Sequence, residues 1–173
     1  MRIVRAIQSA SALAGAIFIT FNQPNREITG TDWIGLIALI IVGFGWLAAN
    51  IVAFFTSNNK KQSWWLLVIA AGLALVVLIA GQNLDAKYQA FELAAHLFAT
   101  LVVCQSVALL IIERSNKAER RENLIAVILA AALSLVLMFG SGQIDEVSIL
   151  GFFNTFLIFS AVHLGISAAT PKA

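Results

Sequence analysis

The sequence predicts an all-α integral membrane protein: six transmembrane helices arranged as three tandem helical hairpins, with both termini in the cytoplasm. Three observations carry this reading. Sixty per cent of the 173 residues are hydrophobic and only 12% are charged, with a mean hydropathy of +0.90. Soluble globular chains carry about 25% charged residues, and a soluble fold of this size has too little polar surface to cover so much apolar material. Six apolar runs are each long enough to cross about 30 Å of hydrocarbon, which takes roughly 17–25 residues. The short polar linkers between those runs alternate in charge.

The runs cover residues 4–21, 33–55, 64–81, 90–112, 124–140 and 147–168. They leave no room for a soluble domain, so one transmembrane domain over residues 1–173 is expected. All six are continuously apolar rather than alternating, which excludes a transmembrane β-barrel. The first carries Arg2 and Arg5 at its head and resembles a signal peptide. It is followed by Asn22-Gln23-Pro24-Asn25 instead of a small-residue cleavage site, so a retained span is expected. Trp33 opens the second run, Trp64 and Trp65 open the third, and Tyr88 precedes the fourth. Amphipathic rings favour such span ends. A charged stretch over 113–122 leads into the fifth run, and the sixth contains His163 in its later half.

Charge sets the expected orientation. Nine of the eleven Lys and Arg residues fall on one side: Arg2, Arg5, Lys60, Lys61, Arg114, Lys117, Arg120, Arg121 and Lys172. Arg26 and Lys87 fall on the other, together with six of the nine acids. The positive-inside rule places the basic side in the cytoplasm. The pI near 9.0 therefore calls for no nucleic acid, because the basic residues are spread over linkers instead of forming one stripe with interleaved aromatics. Cys104 is the single cysteine, so no intramolecular disulfide is possible.

The odd runs span 17–18 residues and the even ones 22–23. Each odd-to-even linker carries a glutamine (Gln23, Gln82, Gln143), at intervals of 59 and 61 residues. Each even run carries an amide or imidazole in its inner half: Asn50, Gln105 and His163, spaced by 55 and 58. These regularities predict hairpin repeats at roughly 4–57, 62–113 and 122–168, related by a pseudo-threefold axis along the membrane normal.

Three short hairpins with an outer Asn/Gln-Pro turn, together with the C-terminal stretch Ser160-Ala161-Val162-His163-Leu164-Gly165-Ile166-Ser167, resemble the acid-resistance (HdeD-like) family of small bacterial membrane proteins. That resemblance implies a six-helix, multi-pass protein of the bacterial inner (plasma) membrane, linked to envelope or acid stress. It implies no catalytic residues.

Polar groups inside apolar runs are costly and therefore informative. Asn50, Gln105 and His163 lie at a shared depth of roughly 22–26 Å from the outer ends of their spans at 1.5 Å per residue. They form a candidate polar ring: a constriction or small-ligand site, or interhelical hydrogen bonds worth about 0.6–2 kcal/mol each. Glu92 and His96, four apart on one face of the fourth run, form a candidate outer pH sensor. His96 and His163 are expected about 15 Å apart along the normal, too far to share a metal ion or the two faces of one haem. Asn154 and His163, nine apart, point to opposite sides of the sixth helix. Ala10 with Ala14 and Ser11 with Gly15 provide small residues at four-residue spacing in the first run. The run over 113–122 is either a solvated connector or a surface for anionic headgroups.

No nucleophile motif, zinc-protease motif or phosphate loop occurs. The expected function is that of a small non-enzymatic membrane protein, stress-linked or accessory, acting by packing with itself or within a larger membrane complex. A passive channel or transporter for a small solute is the alternative, and a pigment- or lipid-binding subunit a further one. Membrane lipids are the expected partners. No catalytic residue, metal or cofactor is assigned.

Overall fold

A computed structural model describes residues 2–22, 31–56, 87–112, 117–140 and 146–170, with isolated helical positions at 64, 68, 71 and 72. Among the described residues every regular element is helical: α1 (Arg2–Phe21), α2 (Thr31–Thr56), α3 (Lys87–Ile112), α4 (Lys117–Gly140) and α5 (Glu146–Ala169). Among the described residues three stretches are long and apolar enough to cross a membrane: Arg2–Phe21, Ile34–Thr56 and Val147–Ala169. Against the six expected spans, five helices are described. The expected third run, 64–81, falls almost wholly outside the described residues. So do the linkers that carry Gln23, Gln82 and Gln143.

The helices close into a ring in chain order, with α1 against α2 and α5, α3 against α2 and α4, and α4 against α5. Contacts between α5 and both α2 and α3 fill the middle. Paired residues give the directions. Arg2 Nη2 donates to the Thr170 carbonyl (3.2 Å), Ser9 Oγ to the Ala161 carbonyl (2.7 Å), and Asn154 Nδ2 to Thr20 Oγ1 (3.2 Å). Residue numbers fall along α5 as they rise along α1, so the two are antiparallel. The start of α1 thus lies beside the end of α5. By contrast, Trp46 packs against Phe98 and Asn50 meets Gln105. Both numbers rise together, and α2 and α3 run parallel.

Each helix buries one face. On α1 the buried set is Val4, Arg5, Gln8, Ala12, Gly15, Ala16 and Ile19, the three-and-four spacing of a helical stripe. The opposite face shows Ile3, Leu13, Ile17 and Phe21, the last 83% exposed. Large apolar side chains cover the outside of the other helices too, among them Phe44, Phe55, Ile128, Phe159 and Ile166. An outside this apolar suits hydrocarbon and not water. Thr100 and Thr155 face outward, yet each hydroxyl donates to the carbonyl four residues back, which satisfies it without solvent.

Between helices that gain little from the hydrophobic effect in lipid, close approach through small residues supplies the contact. A Cβ on Gly45 would stand 2.1 Å from Ser11 Cβ. One on Gly15 would stand 2.8 Å from Val42 Cγ2. Ser11 and Gly15 thus form the α1–α2 seam, whereas Ala10 and Ala14 face outward. Asn22 closes α1, its Nδ2 donating to the Phe18 carbonyl at 2.8 Å.

The seam makes a prediction. Gly45→Ala should destabilise the folded protein by about 1–3 kcal/mol through overpacking, seen as a lower melting midpoint in detergent. Adding Ser11→Gly, which removes the clashing Cβ, should restore most of the loss. Gly151→Ala, with open space at its Cβ position inside α5, should instead raise the midpoint slightly, because alanine favours a helix interior over glycine by about 0.5–1 kcal/mol.

Candidate functional site

The polar groups of the chain converge inside the bundle. Asn50, Gln105 and His163 lie six, seven and six residues before Thr56, Ile112 and Ala169, the ends of α2, α3 and α5. That is a common level about 9–10 Å from those ends. All three border one cavity of about 80 Å³. All five helices wall it: Val4, Arg5 and Gln8 from α1, Trp46, Asn50 and Ala53 from α2, Val102, Gln105 and Ser106 from α3, Asn123, Ala126 and Leu129 from α4, and Phe156, Ser160, His163 and Leu164 from α5. Eight of these sixteen residues are polar, in a bundle whose outside is apolar.

Spacing explains the convergence. Arg5 and Gln8, like Ser160 and His163, are three apart and share a helix face. The bond between α2 and α3 runs from Gln105 Nε2 to Asn50 Oδ1 at 3.2 Å, while Asn50 Nδ2 donates to the Trp46 carbonyl at 2.8 Å. His163 Nε2 lies 3.0 Å from the Glu122 carbonyl. A carbonyl only accepts, so Nε2 carries the hydrogen of this bond. Glu122 is the hub on α4. Its carboxylate pairs with Arg5 and accepts from Ser167 Oγ at 2.8 Å, and Arg5 Nη1 also donates to Ser167 Oγ at 2.6 Å. The side chain of Arg5 is 9% exposed and that of Glu122 25%.

Three wall residues stand apart from this network. Gln8, Ser106 and Ser160 are 7%, 6% and 7% exposed. Their side chains have no hydrogen-bond partner among the described residues and turn to the cavity. Their polar atoms are not among the fully buried unpartnered ones, which are His96 Nδ1 and Asn154 Oδ1, so water or a hydrogen-bonding guest in the cavity can reach them. At roughly 15 Å³ for each water, it has space for a handful. It is far smaller than the ~300–1,000 Å³ pockets that hold drug-sized ligands, and a tetrapyrrole does not fit it.

Toward the other end of the bundle the cavity meets an aromatic layer. Phe98 is fully buried and touches Trp46, Phe153 and Phe156 edge-on, at ring centroid distances of 5.6, 6.5 and 6.4 Å. Beyond that layer lie further polar positions. His96 precedes Gln105 by nine residues on α3, about 13 Å along the axis, and its Nδ1 is buried with no partner among the described residues. The side chain of Glu92, the other half of the expected pH sensor, lies outside the described residues. At the level of the layer itself Asn154 bonds Thr20, and its Oδ1 is likewise unpartnered. Cys104 is exposed. Among the described residues no three His, Cys, Asp or Glu side chains are grouped to hold a metal ion.

Two of these placements correct expectations from sequence. Arg5 counts there as a linker charge, but the structure buries it and pairs it. Glu122 counts as part of a solvated connector, but its carboxylate faces inward. The Arg5 signal was the Gln8 one turn later on the same face, and the Ser160 signal was its three-residue spacing from His163. Asn123 and Ser106 carried no comparable mark, since each is merely adjacent in sequence to a polar neighbour.

Breaking the ion pair from one side should cost more than removing it. Arg5→Met alone leaves Glu122 uncompensated and should destabilise by roughly 2–3 kcal/mol, less than the 3–5 typical of a fully buried pair because Glu122 is partly exposed. Combining Arg5→Met with Glu122→Leu should recover at least half of that loss in thermal melts. Additive losses in the double variant would show that the two side chains act independently.

Comparison with known proteins returns no matching family model, no matching curated protein and no matching solved structure.

Proposed function

We propose that this chain is a non-enzymatic integral membrane protein of six spans, with both termini cytoplasmic, that admits a small neutral polar solute to its central cavity, in the manner of a channel or transporter. The observation that carries the reading is that Gln8, Ser106 and Ser160, polar side chains with no protein partner among the described residues, line that cavity. The formal charges at its edge, Arg5 and Glu122, compensate each other. What remains on the wall is amide, hydroxyl and imidazole, groups that both donate and accept. That chemistry suits an uncharged hydrogen-bonding solute of a few heavy atoms, of the urea or glycerol class, better than a bare ion.

The topology rests on directions. The parallel course of α2 and α3 supports a sixth span between them. The described basic side chains Arg2, Arg5, Lys117, Arg120 and Arg121 belong to the end where α1 and α4 begin and α5 finishes, which supports a cytoplasmic assignment of that end. The parallel helices α2, α3 and α5 meet one another, with α1 set between α2 and α5, and α4 between α3 and α5. This arrangement supports three hairpin repeats about a pseudo-threefold axis.

A second reading keeps the chain as an accessory or structural membrane protein, its polar groups serving as packing glue. The Asn50–Gln105 bond and the Glu122 hub favour it. The two part on permeability. Liposomes containing the protein should equilibrate glycerol or urea faster than protein-free liposomes in a light-scattering assay. Gln8→Leu with Ser160→Leu should return the rate to the protein-free level while the melting midpoint holds or rises. Wild-type rates no faster than bare lipid would leave the packing reading in possession.

A further inference from the structure

In sequence, the run over 113–122 looks balanced, with Glu113, Glu119 and Glu122 set among Arg114, Lys117, Arg120 and Arg121. The fold unbalances it. Glu122 turns inward to Arg5 and Ser167, while Lys117, Arg120 and Arg121 stay exposed with no ion pair among the described residues. Beside Arg120 a groove of about 320 Å³ lies between α3 and α4, walled by Val107, Leu110, Ile111 and Leu124. Leu124 stands one turn beyond Arg120 on the same face of α4. Below it Ile128 and Leu135 continue the exposed apolar stripe.

We propose that this groove and its basic rim form a binding site for one anionic phospholipid, its phosphate against Arg120 and an acyl chain along Ile111 and Leu124. The match is in both halves. A guanidinium pairs a phosphate in a planar fork and is desolvated more easily than an ammonium, and cations at a helix end hold anionic headgroups. The walls below it are aliphatic and continuous with the lipid-facing side of α4. A second copy of the chain related by a twofold axis and seated here would set its own Lys117, Arg120 and Arg121 against the same three cations. A zwitterionic lipid would bring a phosphate too, but its own ammonium offsets that charge and adds a fourth cation beside Lys117, Arg120 and Arg121.

The test compares lipid retention by the full chain, released from bilayers of phosphatidylcholine mixed with phosphatidylglycerol and weighed by native mass spectrometry. One phosphatidylglycerol per chain should be held in preference to phosphatidylcholine. Arg120→Gln should weaken that retention about tenfold, the equivalent of one charge-assisted hydrogen bond. Ile111→Trp, which fills the groove from α3 and leaves every charge in place, should weaken it too, and gives the same reading should Arg120→Gln not fold. Equal retention of the two lipids, or retention unchanged in a folded variant, overturns the site. So does a rise in melting midpoint with inorganic phosphate, in phosphatidylcholine alone, that equals the rise with phosphatidylglycerol, because the groove would then contribute nothing.

Discussion

The carboxylate of Glu122 is the point on which this bundle turns. In hydrocarbon no water competes for a charge, so an inward-facing carboxylate needs partners from the protein. Glu122 meets that constraint for three elements at once. Its side chain takes Arg5 from α1 and Ser167 from α5, and its carbonyl takes His163 from α5. α1 and α4 are not neighbours in the ring, and this contact ties them across the end of α5. The cavity lies directly inward of the knot, so the same interaction that closes the bundle also shapes the wall of its polar interior.

Away from the knot, packing changes character. Small residues let α1 lie close on α2 along the seam of Ser11, Gly15 and Gly45. The aromatic rings of Trp46, Phe98, Phe153 and Phe156 fill the volume where α2, α3 and α5 meet. Edge-on ring contacts add roughly 0.5–1.5 kcal/mol beyond area burial, and they hold the three parallel helices at a fixed spacing. Their layer separates two polar regions of different kind. On one side the cavity is lined by many groups from five helices, while Asn154 within the layer and His96 beyond it each keep an unpartnered atom. The bundle is therefore asymmetric along its axis, with its exchangeable interior near the end where the chain starts.

That asymmetry bears on the small-solute reading. The cavity has aromatic rings, Trp46 and Phe156, on its wall toward one end and Arg5 on its wall toward the other. The lipid groove sits outside this system, on α3 and α4, and shares with it only the inward turn of Glu122 that uncovers the basic rim.

Much of this was readable from residue order alone. Hydropathy identified the helical class, because a continuous apolar run in a chain with few charges has no other stable form in lipid. The recurrence of Asn50, Gln105 and His163 near the ends of long runs marked the level at which the cavity lies, because parallel helices of equal length put equivalent positions at equal depth. What residue order could not decide was the fate of individual charges and small residues at helix ends. Arg5 and Glu122 are 117 positions apart, and whether each meets water, lipid or the other depends on which faces α1 and α4 present. Likewise Ser11 with Gly15 and Ala10 with Ala14 are identical patterns in sequence, and only the rotation of α1 about its axis sends one into the seam and the other outward. Sequence determined which residues need a partner. The tertiary structure decided which partner each one has, because that choice is made by helix rotation and direction, and neither is encoded by local spacing.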